Sequence, residues 1–61
     1  MDATKRQRAM LVKLQNKALS LGHTRVYDWE NEELTKEDAS MKIDAYRDLI
    51  FWLKVKKDLL R

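Results

Sequence analysis

Leu49-Ile50-Phe51-Trp52-Leu53 places five large apolar residues in a row within a stretch that otherwise has a helical composition. A helix turns only one stripe toward a single partner, so five consecutive apolar positions cover more than one face. The shorter N-terminal half of the chain can cover one of those faces. The remainder calls for a second copy or a different protein.

The helix that contains this run has a clear start. In Leu34-Thr35-Lys36-Glu37-Asp38-Ala39, Thr35 is placed to cap, and Glu37 and Asp38 fall in the first turn, where the helix dipole favours negative charge. Leu34, just before the cap, can pack back on the first turn as a staple. No glycine or proline follows before Arg61. Ala39, Ile43, Tyr46, Ile50, Leu53 and Leu60 step by threes and fours, interrupted by Lys57, which predicts a helix over about 36–60, roughly 38 Å long.

Upstream, Thr4-Lys5-Arg6-Gln7 has the form of a capping box. Gln7, Leu11, Leu14, Ala18 and Leu21 share one helical stripe, and Gly22 supplies a residue able to end a helix in the left-handed conformation. The first helix is predicted over about 5–21, roughly 26 Å. Val12 and Leu19 form a smaller seam, and Arg6, Lys13 and Lys17 line one flank. The second helix outruns the first by about two turns. Phe51, Trp52, Val55 and Leu59 sit on that surplus.

The loop, about 22–34, contains Thr24-Arg25-Val26-Tyr27-Asp28-Trp29-Glu30. Its β-branched residues suit a short strand, but one strand has no partner within the monomer. The plainer reading lays Tyr27 and Trp29 over the open end of the hairpin to complete a thin core. The alternative makes them exposed anchors for a partner. The predicted architecture is all-α: one domain over 1–61, a two-helix hairpin with a long C-terminal helix that self-associates.

Charge is distributed in blocks. Residues 1–25 carry +5, residues 26–48 carry −5 and residues 49–61 carry +3, for a net +3. That order suits two helical arms that attract one another better than a uniform nucleic-acid surface. It also bears on self-association. An antiparallel pairing of two second helices brings Lys54 or Lys57 near Asp44 or Asp48, whereas a parallel one sets Lys54, Lys56 and Lys57 side by side.

Thr4, Gln7, Leu11 or Leu14, Gly22, then Leu34-Thr35-Lys36-Glu37-Asp38-Ala39-Ser40 and Ile43-Asp44 together resemble a small helical pattern of phage and mobile-element proteins. In that pattern a T-x-x-Q helix is followed, after a loop, by L-T-K-x-E-A-S-x-x-I. The resemblance covers about residues 4–46. The chain departs from it in Asp38, where Glu is usual, and in the apolar extension beyond Tyr46. It implies a helical hairpin from a virus or mobile element, sometimes appended to proteins of DNA metabolism, and it brings no catalytic residues.

Chains of this size seldom draw more than about 3–5 kcal/mol from a single core and usually need a staple. With no cysteine, disulfides and thiolate zinc sites are excluded; oligomerisation and helix packing remain. The one histidine, His23, reads as a helix-end or surface residue rather than a metal ligand. Glu30, Glu32 and Glu33 lack a nearby nucleophile, Ser20 and Ser40 lack a base, and Gly22 is the only glycine. The chain is therefore expected not to be an enzyme and to need no cofactor.

The opening residues do not resemble a signal peptide, and no apolar run approaches the ~20 residues of a membrane span. Absent cysteine fits the reducing cytoplasm of a host cell. The expected function is a protein-binding module that acts as a homodimer, a phage-encoded inhibitor or modulator of a host protein. Its expected partner-binding residues are Phe51, Trp52, Val55, Leu59, Tyr27 and Trp29. The alternative is a nucleic-acid-binding accessory protein contacting phosphates through Lys5, Arg6, Arg8, Lys13 and Lys17.

Overall fold

The computed structural model describes residues 1–59, so the expected helix end at Leu60 lies outside the described residues. Two helices, α1 (Lys5–Ser20) and α2 (Lys36–Leu59), pack against each other and carry all the regular secondary structure described. Both starts follow from local chemistry. The Thr4 hydroxyl accepts from the Gln7 N–H at 3.0 Å, and the Gln7 side-chain oxygen accepts from the Thr4 N–H at 3.0 Å. At α2 the Thr35 hydroxyl accepts from the Asp38 N–H at 3.0 Å. The shorter aspartate returns a longer bond, 3.4 Å from the Thr35 N–H, where glutamate is the usual partner.

The end of α1 is closed at Gly22, whose φ of 104° only glycine adopts cheaply. The Gly22 N–H donates to the Leu19 carbonyl at 3.1 Å and the His23 N–H to the Ala18 carbonyl at 3.0 Å, the paired bonds of a Schellman ending. His23 thus serves the helix end through its backbone.

Both helices begin at the same end of the molecule. The Gln7 side-chain amide donates to the Lys36 carbonyl at 3.1 Å, and the Lys36 N–H donates to the Met1 carbonyl at 3.0 Å. The Ala3 N–H donates to the Leu34 carbonyl at 2.9 Å, and Asp2 forms an isolated antiparallel bridge with Thr35. Ten residues into each helix, the Tyr46 hydroxyl donates to the Gln15 side-chain oxygen at 3.2 Å. The two helices therefore run in the same sense, and residues 21–35 form a strap that returns along the pair. Thr24–Asp28 form no strand.

The core is thin and partly polar at its centre. Leu11, Ala18, Tyr46 and Ile50 are buried as expected, with Leu14 and Ile43 half-buried against them. Ala3, Trp29, Leu34 and Ala39 complete it. Gln15 is the one buried polar residue among the described residues, and its side-chain oxygen accepts from the Tyr27 N–H at 2.8 Å and from the Trp29 indole N–H at 3.0 Å. Its amide nitrogen donates to the Tyr27 carbonyl at 3.1 Å. Gln15 therefore binds the strap backbone much as a neighbouring strand does.

The strap is anchored a second time by Arg8. Its guanidinium donates to the carbonyls of Trp29 at 2.8 Å, Glu32 at 2.7 Å and Glu30 at 3.4 Å. The bonds crossing directly between the helices, from Gln7 to Lys36 and from Tyr46 to Gln15, involve no charged side chain. Apolar packing and neutral polar bonds join the helices, and the basic block of α1 engages the acidic strap through its carbonyls.

Two outcomes are expected from this packing. Ile50→Ala removes a buried side chain and should cost about 2–5 kcal/mol, enough to unfold most of a domain this small. Ile43→Ala, at a half-buried position, should cost less. Equal, unshifted urea midpoints for both would show that the wrong face of α2 has been placed in the core.

The second concerns alkaline pH. Burial raises the Tyr46 phenol above its ordinary value of 10.0, the bond from Trp29 opposes the rise, and nearby Tyr27 adds to it. A raised folded-state value means that the stability linked to this phenol is full below pH 10 and is lost as pH climbs through that value. Tyr46→Phe should be less stable at pH 7, by about 1–3 kcal/mol for the lost bonds. It should also show a shallower decline above pH 10 in thermal melts. Parallel declines for parent and variant would place the titration elsewhere.

Candidate functional site

The Leu49–Leu53 run is divided by the fold. Ile50 is buried, Leu49 and Leu53 are half-buried against the core, and Phe51 and Trp52 point away from it. The reason is angular: at about 100° per residue, Phe51 and Trp52 lie roughly 100° and 160° round the helix from Ile50. Phe51 is 61 % exposed, Trp52 66 % and Leu59 78 %. Val55, on the same stripe, is half-buried. The Phe51 and Trp52 rings meet edge to face, with centroids 5.9 Å apart and planes at 77°.

This outer face lies opposite the side that packs on α1. Continuing the stripe toward the N-terminus by turns of the helix brings exposed Asp48, Asp44 and Met41 onto it. Lys56 borders it on one side and Arg47 and Asp58 border it on the other, all three exposed. Lys57, by contrast, continues the inner line of Tyr46, Ile50 and Leu53 past the end of α1, and Lys54 lies off the stripe. Of Lys54, Lys56 and Lys57, Lys56 is the lysine that borders this face.

Tyr27 and Trp29 do not act as a pair of exposed anchors. Trp29 is only 4 % exposed, with its indole N–H shared between Gln15 and the Tyr46 hydroxyl at 3.1 Å. It is a core residue, because Gln15 and Tyr46 satisfy its one polar group in the interior. Its ring meets Tyr46 edge to face at 5.9 Å and Tyr27 at 5.1 Å. Tyr27 is 42 % exposed on the rim of an open groove of about 460 Å³ between the strap and α2. Trp29 and Tyr46 line that groove, with His23, Arg25 and Lys42 among its bases and Glu32, Glu33 and Asp38 among its acids.

The basic residues of α1 also separate. Arg8 is half-buried and committed to the strap carbonyls, so it is a structural residue rather than a phosphate contact. Lys5, Arg6, Lys13 and Lys17 are exposed. Arg6, Lys13 and Lys17 fall on one line along the side of α1 turned away from α2, and α1 itself contains no acidic residue.

Among the described residues, no group of three or more His, Cys, Asp or Glu is placed to hold a metal ion. No described helix is long and apolar enough to cross a membrane. The sequence signal for the outer face was the length of the apolar run. Gln15 and Arg8 gave no such signal, because their partners are strap carbonyls and a distant indole. The chain matches no family model, no curated protein and no solved structure.

Proposed function

We propose that this protein is a non-enzymatic protein-binding module that acts as an oligomer, with the outer face of α2 making the contact. The observation that carries the reading is the outer stripe on which Phe51, Trp52 and Leu59 are exposed and Val55 half-buried, with Phe51 and Trp52 meeting edge to face. Covering a side chain of this size is worth about 1.5–3 kcal/mol, so three or four of them supply an interface with its central anchors. The resemblance to phage and mobile-element helical patterns supports the rest: a phage-encoded inhibitor or modulator, acting stoichiometrically on a host protein in the host cytoplasm.

The test is a pull-down from host lysate with the intact protein and a Trp52→Glu variant. Trp52 is exposed, so the variant should keep the parent's melting curve while losing the captured protein. Equal capture by the two proteins removes the outer face from the interaction.

A second reading, nucleic-acid binding through α1, is favoured by where the charges lie. The acidic block counts against it in the linear sequence, yet Asp44 and Asp48 lie on the outer face of α2, away from the Arg6, Lys13 and Lys17 line. Three phosphate contacts give a log–log salt slope of about −2.7 on duplex DNA, a loss of roughly 40-fold between 50 and 200 mM salt. Lys13→Glu should lower the affinity and flatten that slope. If no complex with DNA or RNA forms at 50 mM salt and micromolar protein, the basic line is a solvated surface.

A further inference from the structure

We infer that a second copy of this chain covers the outer face of α2, with the two α2 helices antiparallel and Trp52 close to the two-fold axis. The inference rests on the protein-binding reading and names the occupant of its surface.

The first support is area. A compact monomer of 7.3 kDa exposes about 4,200 Å², whereas this chain exposes 4996 Å². The excess, about 800 Å², reflects an elongated shape and leaves room for the roughly 800 Å² that each partner contributes to a standard-size stable interface. The molecule is elongated, 43 × 17 × 15 Å, and part of its excess surface is the arm of α2 beyond the end of α1.

The second support is charge, and it fixes the direction. Placing Trp52 opposite Trp52 in an antiparallel pair sets Asp48 level with Lys56, which borders the face on one side, and brings Arg47 within one residue of the level of Asp58 on the other border. Leu59 then lies over the small Ala45. The two-fold repeats each pairing, so opposite charges meet on both borders of the contact around Trp52. A parallel pair opposes Asp48 to Asp48 and Lys56 to Lys56 and loses every one of these matches. The face is thus complementary to itself in one direction only, the property an isologous two-fold interface requires.

The experiment uses the whole chain, which has no cysteine of its own. Sedimentation equilibrium between about 1 and 100 µM should give twice 7.3 kDa. A folded species of 7.3 kDa throughout overturns the inference. Under mild oxidation, Asp48→Cys mixed with Lys56→Cys should crosslink as the heterodimer. Homodimer disulfides from each variant alone, without the mixed product, overturn the antiparallel direction.

Charge reversal supplies a readout independent of disulfide geometry. Asp48→Lys and Lys56→Asp should each weaken the dimer about tenfold, and the double reversal should recover most of that loss. Failure of the double variant to recover overturns the pairing. These exposed substitutions leave Trp52 in place. A monomer that still captures a lysate protein through Trp52 therefore sinks the second copy alone, whereas a dimer that captures nothing sinks the module.

Discussion

The buried amide of Gln15 is the constraint on which the arrangement depends. A neutral amide in the interior must find partners for both of its ends, because an unpaired polar group there costs about 1–3 kcal/mol. Gln15 finds them in the backbone of Tyr27, the indole of Trp29 and the hydroxyl of Tyr46. Those groups come from the strap and from α2, so one side chain of α1 holds all three parts of the chain. No buried side-chain nitrogen or oxygen is left without a partner among the described residues. An apolar residue at position 15 could pack as well, but it could not specify where Tyr27 and Trp29 lie.

That fixed level decides the shape of the molecule. Gln15 and Tyr46 each lie ten residues into their helices, so the two starts are aligned and the difference in length falls wholly at the far end. Ser20, where α1 finishes, comes level with Phe51. Beyond it the inner line of α2 has no α1 to meet, which is why Leu53 is half-buried and Lys57 exposed. The outer aromatic pair sits where the core stops. Had the chain turned tightly after Gly22, the helices would have run in opposite senses, and the strap that brings Trp29 into the core would not exist.

What could be read from the chain was what its neighbours in sequence determine. The Thr4–Gln7 box, the Thr35 cap and the Gly22 ending each depend on residues three to five apart, and all three appear in the structure. The excess of Leu49–Leu53 over one helical face was legible for the same reason. The sense of the second helix was not, because a loop of this length allows either direction and the deciding bonds join residues 12 to 31 apart. Charge blocks were a poor guide to charge surfaces. Arg8 belongs to the basic block of α1 yet bonds to carbonyls of the acidic strap, while Asp44 and Asp48 project from the opposite side of the pair from Lys13 and Lys17.

The arm of α2 links folding to the question of what covers it. Residues 53–59 make about two turns that α1 does not flank, and an isolated helix shorter than ~12–15 residues is marginal in water. The arm is helical because it continues a helix packed on Gln15, Leu11 and Ala18, and its apolar side gains nothing from that packing. A partner on Phe51, Trp52 and Leu59 stabilises both the arm and the core to which it is joined, since any ligand that binds only the folded chain raises its apparent stability. For a domain with only a few kcal/mol of its own, that coupling is large relative to the whole. Under the proposed association the exposed stripe is a reserve of stability, with the core and the proposed contact on opposite faces of one helix.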